Sequence, residues 1–577
     1  MGILVDEYPL AHDAVRYPPR KLGDRIQAAL ARELGLGGRA PVVRGSVVAA
    51  DSLIEALLAH PGARRYELFA SPSAVPALTQ HVAQWQAEGL LRPRCRIRSI
   101  IELGQRASGP ALAALFSPSG HWARALRVRR DFAQRPCPVT AVAHGFGLHQ
   151  MLYASFLNIA LVRALECDSI VCSTRVSRQA FLNVFAHVTE NFNREFGTRL
   201  AYQARVDVIP LCVNTHKLRP QEKAPLRKRL GLPKDAFVLL YAGRMSLPIG
   251  DWLPFVKMFA GLVRRNPRRK LVLVMCGTQE GKYADSLRGY ARSLGIADKV
   301  RFEPDFPDEA KEHLIPAADV FVSVSDTVNE VFGLAPVEAM ACGIPQVVSD
   351  WDGYRETVVQ GETGFLVRTY WTGCDGDLTA TGPLFGADYD HRCLGQSVAT
   401  DMRGFAEFLE CLITGGDLRA RMGERSRARA LELYSYAAVA KRYDELWTEL
   451  EEIARNVALA PRAGNFEKPE YHKFFGHYAS DRLDDGSPLR LAAQPGDAVA
   501  MIEALPDGPA LGQSEIIDPG LAYAILSRAE SLGGAGGPVT VGDLVRSSAA
   551  GNAAHPDRVL RHVMWLVKYG LLEPVRS

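Results

Sequence analysis

The sequence of 577 residues is poor in the features that mark membrane, secreted and zinc-binding proteins. No apolar run approaches the roughly 18 residues that a membrane-spanning helix needs. The ten cysteines form no Cys-x-x-Cys pair and no Cys/His cluster, so we predict buried thiols in a reducing compartment rather than disulfides or zinc. The first residues contain no basic segment followed by an apolar one, and we therefore predict no secretory signal and a cytoplasmic location.

An excess of charge of one sign is also missing, because the formal net charge is only +4. The surplus of cations lies in residues 1–150, which contain 19 Lys and Arg against 11 Asp and Glu. A solvated surface is the simpler interpretation, and attraction to a phosphorylated acceptor or an anionic membrane is the alternative. Aromatic residues are not interleaved with these cations, so nucleic acid is not an expected partner. The densest basic groups are Arg92, Arg94, Arg96 and Arg98, and then Arg124, Arg127, Arg129 and Arg130.

Short apolar runs with strand character alternate with helical patterns along most of the chain. This alternation predicts parallel sheets covered by helices. A charged, proline-containing segment at 217–233 separates two such series. We therefore predict an α/β protein with two Rossmann-like domains facing a cleft, at residues 1–216 and 217–455. The second domain ends in a long helix and contains a Gly- and Asp-rich insertion at 368–401. A further helix is predicted at 22–36.

The remainder of the chain has a different character. Residues 456–507 are predicted to be an irregular linker, and residues 508–577 a small, mainly helical domain. Helical patterns at 522–532, 541–547 and 556–568, followed by a short strand at 571–574, are typical of a winged-helix-like module. Its few cations argue against DNA binding. We expect it to recognise a protein or peptide, such as an acceptor substrate.

The most informative segment lies between two apolar runs, at residues 320–325 and 346–349. It predicts a loop and a short helix, with Pro336 near the first turn and Gly343 near the end. A Gly-containing loop at a helix start offers backbone N–H groups and the positive end of the helix dipole, which suits a phosphate. Two carboxylates flank the loop, at Glu330 and Glu338. A phosphate site beside two hydroxyl-accepting carboxylates predicts binding of a sugar nucleotide.

Other polar residues follow predicted strands in the same way. His144 follows the run at 139–143, and Gly243 and Arg244 follow the run at 237–242. Ligands of parallel α/β sheets lie beyond the carboxyl ends of the strands. We therefore expect these residues to converge with the loop at 330–338.

The segment from about residue 206 to residue 441 resembles the C-terminal half of family 4 glycosyltransferases, which have the GT-B architecture. The N-terminal half resembles that family only at residues 142–145 and 170–173, and the last 75 residues lie outside the resemblance. The matching pieces are Tyr241-Ala242-Gly243-Arg244, Gly277, Glu330 and Glu338 with Phe332-Gly333-Leu334, Gly343-Ile344-Pro345, and Gly361-Glu362-Thr363-Gly364-Phe365-Leu366-Val367.

The resemblance implies transfer of a sugar from a nucleoside diphosphate sugar with retention at the anomeric carbon, without a metal ion or a resident cofactor. It implies that Arg244 binds the diphosphate, that Glu338 accepts the ribose hydroxyls and that Glu330 holds hydroxyls of the donor sugar. His144 would reach the sugar or the acceptor, and a loop at 304–307 would help to select the base. The implied catalytic residues are Arg244, Glu330 and His144, and the implied donor-binding residues are Gly243, Arg244, Gly277, Phe332, Gly333, Leu334 and Glu338.

One departure from the family pattern concerns a lysine. The family usually places Lys five or six residues after this arginine, where the present chain has Ile249 or Gly250. Loss of one charge-assisted contact costs about 1.5–3 kcal/mol, or roughly one to two decades in rate. Another cation replaces this lysine, or catalysis is weak. The alternative function is therefore a nucleotide-sugar-binding or scaffold protein. A phosphorylase or epimerase of the same architecture is a weaker alternative. A phosphorylase should need a pyridoxal-anchoring lysine, and none is identifiable.

Overall fold

The computed structural model describes residues 1–4, 45–62, 64–71, 74–87, 95–109, 112–118, 122–145, 150–162, 164–247, 249–278, 282–304, 310–328, 330–381, 387–459, 470–492, 517–534, 537–552 and 555–575. The helix predicted at 22–36 and most of the base-selecting loop at 304–307 lie outside these residues. The chain divides into one unit of residues 1–70, 77–98 and 102–459, and a second unit of residues 71–76, 99–101 and 460–577.

The first sheet of the larger unit has seven strands in the order β3-β2-β1-β4-β5-β6-β7, and each described register is parallel. Its strands are β1 Gly2–Leu4, β2 Tyr66–Ala70, β3 Cys95–Ser99, β4 Leu115–Ser117, β5 Val139–Ala143, β6 Ser169–Cys172 and β7 Arg205–Val208. The helices between them are Gly45–Ala59, Val75–Ala87, Leu103–Ser108, Trp122–Phe132, Gln150–Leu161 and Arg175–Phe196.

One arginine of the predicted basic surface lies inside this domain. Arg129 is only 3% exposed, and its Nη2 donates to Asp168 Oδ2 at 2.8 Å. The same carboxylate accepts the backbone N–H of Val139 at 2.8 Å. These bonds satisfy a charge pair that would otherwise be costly to bury. The prediction of a solvated surface is therefore wrong for Arg129.

The second sheet has six parallel strands in the order β10-β9-β8-β11-β12-β13. The predicted pair of Rossmann-like α/β domains is thus confirmed. The strands are β8 Phe237–Ala242, β9 Leu271–Gly277, β10 Val300–Pro304, β11 Val320–Ser323, β12 Gln346–Ser349 and β13 Gly364–Val367. The helices are Lys223–Arg229, Leu253–Arg265, Tyr283–Ser293, Lys311–Ala317, Leu334–Ala341, Tyr354–Thr357, Met402–Thr414, Gly416–Arg429 and Tyr436–Ala454.

The insertion at 368–401 contains regular structure. Helices Gly376–Thr381 and Ala387–Ser397 lie between two short antiparallel strands, β14 Thr369–Tyr370 and β15 Ala399–Thr400. The ends of the insertion are therefore held together, directly after β13.

The long helix Tyr436–Ala454, predicted to end the second domain, packs on the first sheet. Trp447 Nε1 donates to Thr140 Oγ1 of β5 at 3.0 Å. The ring of Phe116 in β4 lies 5.3 Å from the Trp447 ring and 5.5 Å from the Tyr443 ring. Burial of these aromatic rings joins the two domains of this unit.

The second unit contains the three predicted helices, as Pro519–Gly533, Val541–Asn552 and Pro556–Lys568, and the predicted terminal strand, as β18 Leu572–Pro574. Its sheet has the order β17-β16-β18, in which β16 is Pro488–Leu491 and β17 is Val539–Thr540. The prediction of an irregular linker is therefore wrong at 488–491. β16 is the central strand, and Leu489 is buried in the helical core. Across the described parts of both units, no helix combines the length and apolarity needed to span a membrane.

Candidate active site

The motif between β11 and β12 forms the predicted loop and helix. Helix Leu334–Ala341 begins directly after Gly333, which has a φ of 83° and a ψ of 76°. This left-handed conformation favours glycine, and a Cβ here would also collide with the ring of Tyr354. Backbone N–H groups in the first turn of a helix have no intrahelical acceptor. The loop therefore directs N–H groups out of the carboxyl edge of the sheet, as an anion site requires.

Glu330 lies in the loop between β11 and the motif helix. Burial raises the pKa of Glu330 to about 7, although the Arg244 charge and hydrogen bonds from Gly333 N–H and Tyr354 act to lower it. Tyr354 is itself held by Ser323, since their hydroxyl oxygens lie 2.9 Å apart. The structure thus brings together three of the predicted site residues, Arg244, Glu330 and Gly333.

The raised pKa of Glu330 has a consequence for stability. Between the ordinary value of 4.5 and about 7, the folded protein binds more protons at this group than the unfolded chain does. The free energy of unfolding therefore falls as pH rises through this interval. We expect Glu330→Gln to stabilise the ligand-free protein at pH 8 by about 1–3 kcal/mol and to have little effect at pH 4.5.

Thermal unfolding midpoints of the wild type and the variant, measured at pH 4.5 and pH 8, check this prediction. Glu407 serves as the control, because its side chain is 61% exposed beside Arg403 on the same helix. Glu407→Gln should shift the midpoint little at either pH. A Glu330→Gln variant that is equally stable with the wild type at pH 8 would contradict the prediction.

Arg244 is positioned by the ends of two neighbouring strands. Gly243 N–H donates to the Cys276 carbonyl at 2.9 Å, and Tyr241 hydroxyl donates to the Arg244 carbonyl at 2.9 Å. Gly277 has a φ of 129°, and a Cβ on it would overlap the backbone of Gly243. The predicted residues Gly243, Arg244 and Gly277 therefore adjoin one another, and the two glycines permit the close approach.

The remaining predicted donor-binding residues differ in what they offer. The Phe332 side chain is buried against the Tyr434 ring, with the ring centres 5.7 Å apart, so only its backbone is placed to meet a ligand. Leu334 opens the helix. Glu338 is buried on that helix, where its Oε1 lies 3.2 Å from Lys311 Nζ.

His144 is placed on the first sheet, directly after β5. Its Nε2 is hydrogen-bonded to the Pro118 carbonyl, and burial lowers the pKa of His144 even though this bond acts to raise it. The ring is therefore neutral near pH 7. The structure describes no contact from His144 to Arg244 or Glu330.

The carboxyl ends of the two sheets nevertheless meet at the motif. Thr174, which follows β6, donates from Oγ1 to the Val331 carbonyl at 2.9 Å. The hydroxyl of Ser173 donates to the same carbonyl at 3.3 Å. Because β5 and β6 are paired, His144 lies one strand away from this junction. The structure thus joins the end of β6 to the motif loop, and the expected convergence of His144 with that loop stays a prediction.

Sequence reasoning missed Asp352. Among the described residues it is the one non-glycine residue with a positive φ, 43°. Burial raises the pKa of Asp352 to about 8, and the nearby Glu330 carboxylate adds to the rise. The next residue fixes the turn, because Gly353 N–H donates to the Glu330 carbonyl at 3.0 Å. The Asp-Gly pair after β12 is a sequence signal for a turn, and it lies at the ligand-binding edge. This pair was the indication of Asp352 that the sequence contained.

The domain that contains the second sheet matches a known family model. Residues 222–372 match the family model of glycosyl transferases group 1. This match includes Arg244, Gly277, Glu330, Gly333 and Glu338. Within the described residues, no group of three or more His, Cys, Asp and Glu side chains is placed to hold a metal ion.

Two curated relatives each match part of the chain. The D-inositol 3-phosphate glycosyltransferase of Actinosynnema mirum is 34% identical over 212 residues, which are 36% of this chain and 47% of that protein. The enzyme of that name from Frankia alni is 38% identical over 169 residues, 28% of this chain and 40% of that protein. The chain thus spans less than half the length of these relatives.

Solved structures resemble a larger share of the chain at lower identity. The crystal structure of Anabaena HepE in complex with UDP covers 70% of this chain and 96% of its own, with 17% identity and a TM-score of 0.49. Sucrose-phosphate synthase from Thermosynechococcus elongatus covers 78% of this chain and 100% of its own, with 17% identity and a TM-score of 0.46.

Proposed function

We propose that the protein is a glycosyltransferase that moves a sugar from a nucleoside diphosphate sugar to an acceptor. The observation that carries this proposal is the meeting of Arg244, Glu330 and the helix start at Gly333 on one sheet edge. All three lie in the segment that matches the glycosyl transferase family model.

The chemical difficulty of such a reaction is the negative charge that develops on the departing diphosphate. Preorganised cations and N–H groups stabilise developing charge most effectively where water is excluded. Arg244 supplies a guanidinium that can bind phosphate oxygens through two parallel hydrogen bonds. Because Gly333 N–H already donates to Glu330, the N–H groups of Leu334 and Ala335 are the ones proposed to bind phosphate.

The carboxyl groups have separate proposed roles. Glu338 accepts the ribose hydroxyls, and Glu330 accepts hydroxyls of the donor sugar. Hydrogen bonds from these hydroxyls favour the ionised carboxylate, so sugar binding should lower the raised pKa of Glu330. His144, neutral and on the opposing sheet, faces the sugar or the acceptor in this scheme.

We propose retention at the anomeric carbon, with no resident metal ion or cofactor, as the family resemblance implies. In a front-face substitution the bond from the anomeric carbon to the diphosphate oxygen breaks. The acceptor oxygen bonds to the same face, and the departing phosphate takes the acceptor proton. No carboxylate nucleophile is needed in this scheme.

The other sequence predictions concern the acceptor, contact with a membrane and the location of the protein, and all of them remain proposals. We propose that the second unit is a winged-helix-like module for a peptide or protein acceptor, supported by its three helices and three-stranded sheet. Peripheral contact of the basic N-terminal half with an anionic membrane and a cytoplasmic location are retained on the sequence argument alone.

A panel of nucleoside diphosphate sugars tests the proposed function. We expect at least one donor to raise the thermal midpoint of the full chain by mass action, and to release its nucleoside diphosphate when acceptors are added. Nuclear magnetic resonance of the product reports the anomeric configuration, and activity in excess chelator tests independence from metal. Binding without any sugar release would favour the nucleotide-sugar-binding alternative. Absence of any binding would reject both functions.

A further inference from the structure

An ion pair between two helices identifies a further residue near Glu338, in the part of the candidate site proposed to bind the nucleotide. Lys311 opens helix Lys311–Ala317, and its Nζ lies 3.2 Å from Oε1 of Glu338 on helix Leu334–Ala341. The side chains are 24% and 9% exposed, respectively. The family motif contains Glu338 but gives no reason to expect this lysine. The contact arises because both helices begin at the same edge of the sheet.

The pair of Lys311 and Glu338 lies near the ends of β8 and β9, which position Arg244. Cys276 precedes Gly277 at the end of β9. Burial raises the pKa of Cys276 to about 12, while Lys311 acts to lower it and Glu338 acts to raise it further. The charges of Lys311 and Glu338 therefore both act on Cys276, at the strand end that adjoins Gly243.

Each motif carboxylate has a cation near it, since Arg244 acts on Glu330 and Lys311 pairs with Glu338. A carboxylate that is to accept two ribose hydroxyls has to be ionised and held in one orientation, whereas burial favours the protonated form. A neighbouring ammonium group favours ionisation and adds a charge-assisted hydrogen bond. Glu338 has such a partner in Lys311. The Lys311 ammonium group also offsets negative charge that Glu338 brings to the proposed site of an anionic diphosphate.

We propose that Lys311 is a positioning residue, which keeps Glu338 ionised and oriented for the ribose hydroxyls of the nucleotide. This inference rests on the proposed function. It also supplies a cation to the nucleotide side of a site whose loop has Ile249 in place of the usual lysine. Lys311 acts through Glu338, so its effect depends on the ribose and not on the transferred sugar.

Calorimetric titration of the full chain tests this dependence, with UDP, ADP and GDP and their 2′-deoxy counterparts as probes. For the ribonucleotide that binds most tightly, we expect Lys311→Met to raise Kd by about 10- to 100-fold. Lys311→Arg should stay within about threefold of the wild type, because it restores the cation. For the 2′-deoxy counterpart, Lys311→Met should raise Kd by a smaller factor, because Glu338 then holds only the 3′-hydroxyl. In the transfer assay, KM should rise while kcat stays within about threefold.

A double substitution separates this role from a purely structural one. Glu338→Gln removes the carboxylate that Lys311 serves, so adding Lys311→Met should weaken binding no further. Lys441→Met is the matched control, because Lys441 pairs with Glu445 on an exposed helix face and should leave Kd unchanged. Thermal midpoints of the ligand-free variants report any loss of folding.

Two results would overturn the proposal while leaving the function intact. One is an unchanged Kd for every probe in Lys311→Met. The other is equal weakening of the ribonucleotide and its 2′-deoxy counterpart, which would mean that Lys311 contacts phosphate or base directly. If the wild type binds none of the six probes, the proposed function fails, and the role of Lys311 fails with it.

Discussion

Replacement of Arg244 by alanine is expected to lower kcat for sugar transfer by about 100- to 1,000-fold. Removal of one preorganised donor to a developing negative charge has a cost of this size. The effect should be close to the upper end, because no lysine follows Arg244 at Ile249 to share the diphosphate. Steady-state transfer rates at saturating donor measure the change directly. We expect Arg244→Lys to recover only part of the rate, because an ammonium group does not reproduce bidentate binding.

Arg403 provides the control for this experiment. Its side chain is 90% exposed and pairs with Glu407 on the same helix, so Arg403→Ala should leave kcat unchanged. Retention of more than a tenth of the wild-type kcat by Arg244→Ala would contradict its proposed role at the departing diphosphate. Unchanged thermal midpoints in both variants would show that the rates compare folded proteins.

The second large effect is expected from Gly277→Ala. A side chain there would occupy a φ of 129°, which L-residues rarely adopt, and its Cβ would overlap the Gly243 carbonyl. Because the obstacle is backbone, the ends of β8 and β9 would have to separate. We expect a loss of about 3–5 kcal/mol of unfolding free energy, measured by urea denaturation, together with a loss of nucleotide binding through displacement of Arg244.

Gly289 offers a matched substitution in the same domain. It lies within helix Tyr283–Ser293, where a Cβ would have no heavy atom within 4 Å. Gly289→Ala should therefore stabilise the protein by about 0.5–1 kcal/mol through helix propensity. A Gly277→Ala protein with wild-type stability would show that the strand ends can separate at little cost.

Prediction from the sequence succeeded where an element and its signal are local. The apolar runs of the second sheet are strands, and β8, β11 and β12 each have a continuous buried pattern. The motif helix begins after Gly333 and ends at Ala341, two residues before Gly343, as helix-end preferences require. Strand β16 was missed because it has only four residues, Pro488–Leu491. An alternation of apolar and polar residues over four positions cannot be distinguished from a loop.

The prediction of site residues shows the same difference between local sequence signals and contacts between distant segments. Arg244, Glu330 and Gly333 lie near one another because each follows a strand of one parallel sheet, and parallel strands bring their carboxyl ends to one edge. Phe332 was predicted on its place in the motif, but the side chain packs against Tyr434 from a helix about a hundred residues later. Asp352 and Lys311 were not predicted, because neither type of residue is unusual in a surface loop or at a helix start.

Periodicity and glycine placement along the chain were thus enough to predict two parallel sheets and the loop that offers N–H groups to an anion. They depend on backbone preferences and on burial patterns within about 20 residues. The partner of each buried charge was set by contacts between distant segments. Asp168 neutralises Arg129, and Lys311 accompanies Glu338. Such pairs depend on strand order and helix packing, which place carboxylates and cations side by side across gaps of sequence that no local pattern spans.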